Sequence, residues 1–357
     1  MKIWQRWRGP MAVMAAVAGV GFSTGREVAL FFSQMGRASW IGVMMAAGAF
    51  GVGCGFLSWL VSATGAESFR ELCEREIQAP LNGIAVNFLG ILSAAAVGTM
   101  LAAAGQLGAL ALPLRNAFWI GVLFSAVAAL ILNFRGMAAL PAAGACSFVV
   151  CLLFFSFLML DRRQIAVNYQ YFTVPRLSGS VTSAILFSML FASMNVSISA
   201  GVAVRFAGKG RDTGFALRCG GCMLMMLSII NGAVLSGGDE LLSQAFPTVI
   251  LAARWGLFGY YACLMVSGLC VIATLAAALG GLIGTMAGGR GRWTVIFMPA
   301  VFLWTVYAGT PQLVEIGYPM LGWVCAMSMA VCAGGMGTRL WRKRRSPVDS
   351  KDLRVKL

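Results

Sequence analysis

The chain has 357 residues, of which 59% are hydrophobic and 11% charged, and its mean hydropathy is +0.83. These values exclude a soluble globular protein and indicate a polytopic membrane protein. The formal net charge of +15 comes from 27 Lys and Arg against 12 Asp and Glu, and the chain contains no histidine.

Apolar runs long enough to cross a bilayer, about 18 residues or more, predict ten membrane-spanning helices. They lie near 10–34, 40–62, 83–111, 117–133, 137–160, 180–204, 213–236, 257–286, 292–309 and 318–339. We therefore expect an all-α polytopic membrane protein with a single transmembrane domain. The first apolar segment lacks the pattern of a cleavable signal peptide.

The first span contains the stretch Gly19-Val-Gly-Phe-Ser-Thr-Gly-Arg-Glu27 within an otherwise apolar run. Its three glycines and two hydroxyl residues predict an interrupted helix. Unwound backbone at membrane depth survives only where protein or a water-filled cavity satisfies its N–H and C=O groups. The stretch is therefore a candidate substrate site, with the candidate ligands Gly21, Phe22, Ser23, Thr24 and Gly25.

Arg26 and Glu27 place two opposite charges directly after these residues. Adjacent residues on a helix diverge by about 100 degrees, so the two charges cannot simply cancel each other. An ionisable residue inside a membrane is by default a functional candidate. We expect Arg26 and Glu27 to serve in ion coupling or gating; the alternative is a structural charge bonded to neighbouring helix ends.

Two connections between spans have distinctive compositions. Residues 67–78 are polar and charged, which predicts a surface helix whose main apolar contacts are Leu72 and Ile77. Residues 162–179 form the longest polar segment on the opposite side of the predicted membrane.

The sixth span is the second polar one, with Ser193 and Asn195 near its centre. A serine in a helix can bond back to the carbonyls of its own helix and so indicates little. An asparagine at mid-span either faces a cavity or bonds a neighbouring helix. We expect a second discontinuous helix here, with Ser193 and Asn195 as candidate substrate ligands.

The last three spans contain one further candidate site residue and are accompanied by one acidic residue to which no function is assigned. Thr274 in the eighth span is a candidate ion-coupling residue. Glu315 precedes the tenth span and is interpreted as a solvated loop carboxylate.

The distribution of Lys and Arg predicts the orientation. With a cytoplasmic N-terminus, 20 of the 27 lie on the inner side, six lie on the outer side, and Arg26 is within the membrane. Both termini are therefore expected in the cytoplasm. The basic tail, residues 340–357, fits contact with anionic lipids better than nucleic-acid binding.

Ten spans divide into five plus five, and an odd number inverts the second half relative to the first. The first span of each half is the polar one, a pattern that points to the midplane site of a transporter. We expect an inverted repeat of about 10–160 and 180–339, followed by the tail.

The segment Val20-Gly-Phe-Ser-Thr-Gly-Arg-Glu27, followed by Phe31-Phe32, resembles the first-span signature of the YkvI-like bacterial membrane proteins. Ser193-Met-Asn195, and Phe246-Pro-Thr-Val-Ile-Leu leading to Ala273-Thr274, fit the later motifs of that family. The family is similar to the LeuT-fold (amino acid–polyamine–organocation) transporters. The resemblance implies alternating access in the bacterial inner membrane. Sodium carriers of that fold use adjacent hydroxyls on the eighth span, whereas this chain has Thr274 alone, which favours a proton over sodium.

The leading hypothesis is a secondary active transporter of a small polar or amino-acid-like solute, coupled to H+ or Na+. The alternative is a nutrient-sensing receptor subunit with a transporter-like fold. An enzyme is not expected, because general acid–base chemistry would fall to Glu27 alone. We expect neither a cofactor nor a metal, since the spaced pair Cys219-Gly-Gly-Cys222 has no further ligands beside it.

Overall fold

The computed structural model is built from helices, and no strand occurs in the part of the chain that it describes. The described residues are 2–77, 79–136, 139–159, 180–207, 212–242, 244–286, 292–308 and 313–345. The predicted outer segment 162–179 and residues 346–357 of the predicted tail lie outside them.

Fifteen α-helices lie within the described residues. In chain order they are α1 (Lys2–Val17), α2 (Val20–Ser23), α3 (Arg26–Phe31), α4 (Ser39–Thr64), α5 (Phe69–Glu76), α6 (Leu81–Ala111), α7 (Ala117–Phe134), α8 (Ala139–Met159), α9 (Val181–Phe206), α10 (Asp212–Ser236), α11 (Asp239–Leu242), α12 (Pro247–Ala253), α13 (Gly256–Met286), α14 (Phe297–Ala308) and α15 (Tyr318–Arg345).

Seven helical segments of the described chain are long and apolar enough to cross a membrane. They comprise Ser33–Thr64, Leu81–Ala111, Ala117–Phe134, Ala139–Met159, Val181–Phe206, Thr213–Ser236 and Gly256–Met286. The first predicted span is divided among α1, α2 and α3, the ninth is the short α14, and the tenth lies in α15. The expectation of an all-α polytopic membrane protein is confirmed.

The first span lies at the centre of the bundle, where α1 contacts α8, α9, α10 and α13. Small residues allow these close contacts. A Cβ at Gly144 of α8 would overlap the Met11 carbonyl of α1, and Gly51 of α4 lies against the backbone of Gly220 in α10. In contrast, α7 exposes Trp119 and Leu123, as expected for a surface that faces lipid.

The helix packing has a regular pattern. The first span packs against the fifth, α8, as the sixth span, α9, packs against the tenth, α15. The third span, α6, packs against the ninth, α14, as the eighth, α13, packs against the fourth, α7. Helices five spans apart thus have corresponding neighbours.

The prediction of a discontinuous sixth span is wrong, because α9 is one continuous helix. Its polar side chains bond to carbonyls one turn earlier: Asn195 Nδ2 donates to Phe191 O at 2.9 Å and Ser199 Oγ to Asn195 O at 2.7 Å. These bonds satisfy the side chains without opening the helix.

The surface-helix prediction for residues 67–78 corresponds to α5, where Leu72 and Ile77 are buried. We call the side on which α1 begins and α9 ends the N-terminal face. The side that holds α11 and the turn Leu313–Gly317 is the far face.

Candidate substrate site

The first span is interrupted twice. After Val17 the chain passes through Gly19 in an extended conformation (φ −77°, ψ −165°), and helical structure resumes at Val20. The second interruption is Gly25, whose φ of +75° lies in the left-handed region that favours glycine. The residues from Val20 to Ala29 are buried, so the interruptions lie inside the protein.

The first interruption is fixed by the eighth span. Thr274 Oγ1 of α13 donates to the carbonyl oxygen of Ala15 at 2.9 Å, near the end of α1. Its methyl group would lie 3.5 Å from a Cβ at Gly19. Thr274 therefore lies at the break, and its hydroxyl proton is engaged there.

The second interruption is fixed by α12. Thr248 donates through its backbone N–H to Thr24 O at 3.1 Å and through its hydroxyl to Ser23 O at 2.7 Å. The hydroxyls of Ser23 and Thr24 both donate to Val20 O, at 3.2 and 2.7 Å. A residue 224 positions away from Thr24 therefore satisfies the freed carbonyls.

Glu27 lies against the break. Its side chain occupies the space next to Gly21, where any Cβ would overlap the carboxyl group. The residue is 5% exposed, and the hydroxyl of Tyr318, the first residue of α15, donates to its carboxylate. A single protonatable side chain thus joins α2, α3 and α15.

Arg26 turns toward the far face. Its Nη1 donates to Leu242 O at 2.7 Å and to Gln244 O at 3.1 Å, and its Nη2 forms an ion pair with Glu315. The expectation that Arg26 and Glu27 do not cancel each other agrees with these separate partners. Glu315 is half exposed, but it is not a simple loop carboxylate; that interpretation is wrong because the fold brings it to Arg26.

The two candidate ligands of the sixth span point in different directions. Ser193 Oγ contacts Gly322 O of α15 at 3.3 Å, as well as two carbonyls of α9. Asn195 is 2% exposed and lies one turn from Phe191, which packs against Phe22 with ring centroids 5.6 Å apart. Asn195 is therefore one helical turn from a residue that contacts the interrupted stretch.

Aromatic rings fill the space on the far side of the break. Phe191 contacts Phe31 and Phe32 with centroid distances of 5.4 and 5.0 Å, and Phe31 also contacts Phe187. These rings are edge-on to one another, an arrangement favourable for aromatic pairs. They join the far half of the first span to α9.

A cavity approaches the break from the N-terminal face. This vestibule has a volume of about 300 Å³ and is lined mostly by apolar residues, with a few polar side chains that include Ser68, Asn133 and Arg205. A small cavity bordered by some of the same residues, among them Leu89 and Gly281, extends to Ala16 of α1. Ala16 is three residues before Gly19.

Sequence reasoning missed Thr248, Tyr318 and the pairing role of Glu315. Each belongs to a segment far from the first span in sequence, and only the helix packing brings them together. Pro247 of the family motif is the first residue of α12.

No family model matches this sequence, and no curated protein matches it significantly. Among solved structures, the chain is similar to a single-residue variant of the Eremococcus coleocola manganese transporter: 13% identity, TM-score 0.50, with 93% of this chain and 77% of that chain covered. The same transporter in complex with an aromatic bis-isothiourea compound aligns with 14% identity, a TM-score of 0.43 and coverage of 95% and 72%. The likeness at this identity establishes a shared fold.

Proposed function

We propose that this protein is a secondary transporter that binds its solute at the interrupted first span. The observation that carries the proposal is the contact of the buried Glu27 carboxylate with Gly21 in the break and with Tyr318. Interrupted helices near the middle of a membrane are the binding elements of many transporters. The fold shared with a solved transporter supports the same function.

The two sides of the break differ in access, as alternating access requires. Toward the far face, the bonds of Arg26 to Glu315 and to two loop carbonyls, together with the aromatic rings, close the path. Toward the N-terminal face, the vestibule lies next to a small separate cavity that borders Ala16. The conformation is therefore one closed at the far face.

The finer family assignment rests on the first-span signature and on the helix packing. Corresponding neighbours for spans five apart support an inverted repeat of about 10–160 and 180–339. Such a repeat supports the LeuT-like fold and the YkvI-like family resemblance. The polar and charged groups at the break fit a small polar or amino-acid-like solute.

The coupling ion in this proposal is a proton carried by Glu27. Of the two candidate ion-coupling side chains at the break, Thr274 is engaged with the Ala15 carbonyl, whereas Glu27 is a carboxyl group that can gain and lose a proton. Asn195, Ser23 and Thr24 would orient the solute once the side chains release their present bonds.

The proposed function is tested by measuring the midpoint of thermal unfolding of the purified protein. The measurement is made in the presence of amino acids and other small polar solutes, with and without sodium. A solute that binds the folded state raises the midpoint by mass action. We expect stabilisation that does not require sodium. A stabilising effect that appears only with sodium would overturn proton coupling, and binding without movement across a vesicle membrane would identify a receptor.

The topology gives a second prediction. The excess of Lys and Arg on the N-terminal side predicts that both termini face the cytoplasm in the bacterial inner membrane. Reporter fusions after residue 345 and within 162–179 should be active on the cytoplasmic and the outer side, respectively. A C-terminal fusion active outside the cytoplasm would contradict the ten-span arrangement and the repeat.

The closure at the far face gives a third prediction. Arg26→Ala should open this side, because three of the bonds described above end on its guanidinium group. Cys263 lies behind Thr248, with its Sγ 3.8 Å from Thr248 Oγ1, and is fully buried. We expect its labelling by a membrane-impermeant maleimide, followed by peptide mass spectrometry, to increase in Arg26→Ala.

The matched control is Arg115→Ala, which removes an exposed arginine in the connection between α6 and α7. Glu315→Gln should behave as a milder form of Arg26→Ala, because the two loop carbonyls still accept from Arg26. Equal labelling in the wild type and Arg26→Ala would rule out a gating role for this arginine.

A further inference from the structure

A third cavity lies at the outer surface of the helix bundle. It has a volume of about 450 Å³ and is lined almost entirely by apolar side chains of α4, α5, α6, α9 and α15. Representative lining residues are Phe56, Leu72, Phe88, Ala200 and Val324. We call this cavity the α5 groove, because α5 covers its end at the N-terminal face.

The groove opens toward the bilayer. Three residues at its edge, Ile84, Met327 and Val331, are 60%, 58% and 53% exposed. They belong to α6 and α15, which make few direct contacts with each other. The space between these helices is therefore a gap in the protein that an apolar chain from the membrane can fill.

Some charged side chains of α5 form ion pairs within the helix, and Glu76 does not. Arg70 pairs with Glu74 and Arg75 with Glu71, each one helical turn away. Glu76 lines the groove, is half-buried, and makes no ion pair with the side chains that the structure describes, which do not include those of residues 335–345 in α15. Among the described side chains, the Glu76 carboxylate is the one charged group that lines the groove, and it lies at the end that α5 covers.

We propose that the α5 groove is a binding site for one phosphatidylethanolamine molecule. An acyl chain would occupy the apolar part, and the ammonium group would meet the Glu76 carboxylate. A phospholipid with an anionic headgroup lacks the ammonium and would place its negative charge beside Glu76, where like charges repel. Since α5 is a short helix with one polar and one buried face, its place at the membrane surface suits a headgroup contact.

The groove shares walls with the vestibule. Phe69 of α5 and Leu89 of α6 line both cavities. A lipid chain packed against one side of these residues therefore holds the wall of the vestibule in place. This binding site does not depend on the proposed transport function, because its chemistry comes from α5 and the groove alone.

The test compares delipidated protein in detergent micelles doped with dioleoyl phosphatidylethanolamine or dioleoyl phosphatidylglycerol. We expect the ethanolamine lipid to raise the midpoint of thermal unfolding with a saturating dependence, and to raise it more than the glycerol lipid does. Native mass spectrometry should then retain one ethanolamine lipid per chain. Glu76→Gln should equalise the two lipids, whereas Glu67→Gln, a control on an exposed acid outside the groove, should leave the preference intact.

Ala200→Phe provides an independent variant, because the added ring fills the groove and should remove the stabilisation by either lipid. If Ala200→Phe fails to fold, the comparison of the two lipids in Glu76→Gln still tests the proposal. Equal effects of the two lipids on the wild type, or a stronger effect of the glycerol lipid, would overturn the proposal. So would an ethanolamine preference that persists in Glu76→Gln, which would indicate only a general effect of the surrounding lipid.

Discussion

Glu27→Gln is expected to abolish proton-driven uptake while leaving the fold intact. The amide cannot carry a proton through the cycle, yet its oxygen can still accept from the hydroxyl of Tyr318. We therefore expect the free energy of unfolding to change by no more than about 1 kcal/mol, the size of one ordinary hydrogen bond. Uptake into proteoliposomes under an imposed proton gradient is the measurement.

Two further variants serve as controls for Glu27→Gln. Glu27→Asp keeps a protonatable group on a shorter side chain and should retain part of the uptake. Glu67→Gln removes an exposed acid far from the break and should transport like the wild type. Gradient-driven uptake by Glu27→Gln at the wild-type rate would show that another group carries the proton, or that no proton is carried.

Gly21→Val is expected to eliminate solute binding. A Cβ at this position overlaps the carboxyl group of Glu27, so the side chain must leave the break and its contact with Tyr318. Overfilling of a packed site also destabilises a protein by about 1–3 kcal/mol. Binding is measured by the solute-dependent shift of the unfolding midpoint, which separates it from the loss of stability itself.

The matched control is Gly48→Val in α4, because a Cβ at Gly48 meets no atom within 4 Å. This variant should insert, fold and bind like the wild type. If Gly21→Val binds the solute as tightly as Gly48→Val does, the break is a packing feature and the proposed site is elsewhere.

The interrupted first span was predictable from sequence because its signals are local. Glycines loosen a helix wherever they occur, and Gly25 adopts a conformation that other residues rarely reach. The charges of Arg26 and Glu27 within an apolar run mark the same place. The position of the break therefore follows from the residues that form it.

The prediction of a second break failed for a physical reason. Asn195 and the serines of α9 are polar, but their side chains reach carbonyls of their own helix and need no cavity. Sequence shows that a side chain is polar and does not show which partner satisfies it. A helix without glycines at the polar positions keeps its backbone bonds.

The partners of the break depend on tertiary structure. Thr248, Glu315 and Tyr318 are ordinary residues in sequence, and each gains its role from the segment that it lies beside. Glu315 in particular lies in a connection between helices, and only the fold shows that it pairs with Arg26. These contacts follow from how the helices pack, which hydrophobic periodicity alone does not specify.

Proton entry into proteoliposomes tests most directly whether the broken helix is the site of coupled transport. A pH-sensitive dye inside the vesicles reports acidification when an equimolar mixture of amino acids, or a solute from the thermal screen, is added outside. Solute-dependent acidification is expected with the wild type and Gly48→Val, and none with Glu27→Gln or Gly21→Val. Equal acidification with Glu27→Gln, or solute binding to the wild type with no movement of solute or protons, would contradict a proton-coupled transporter.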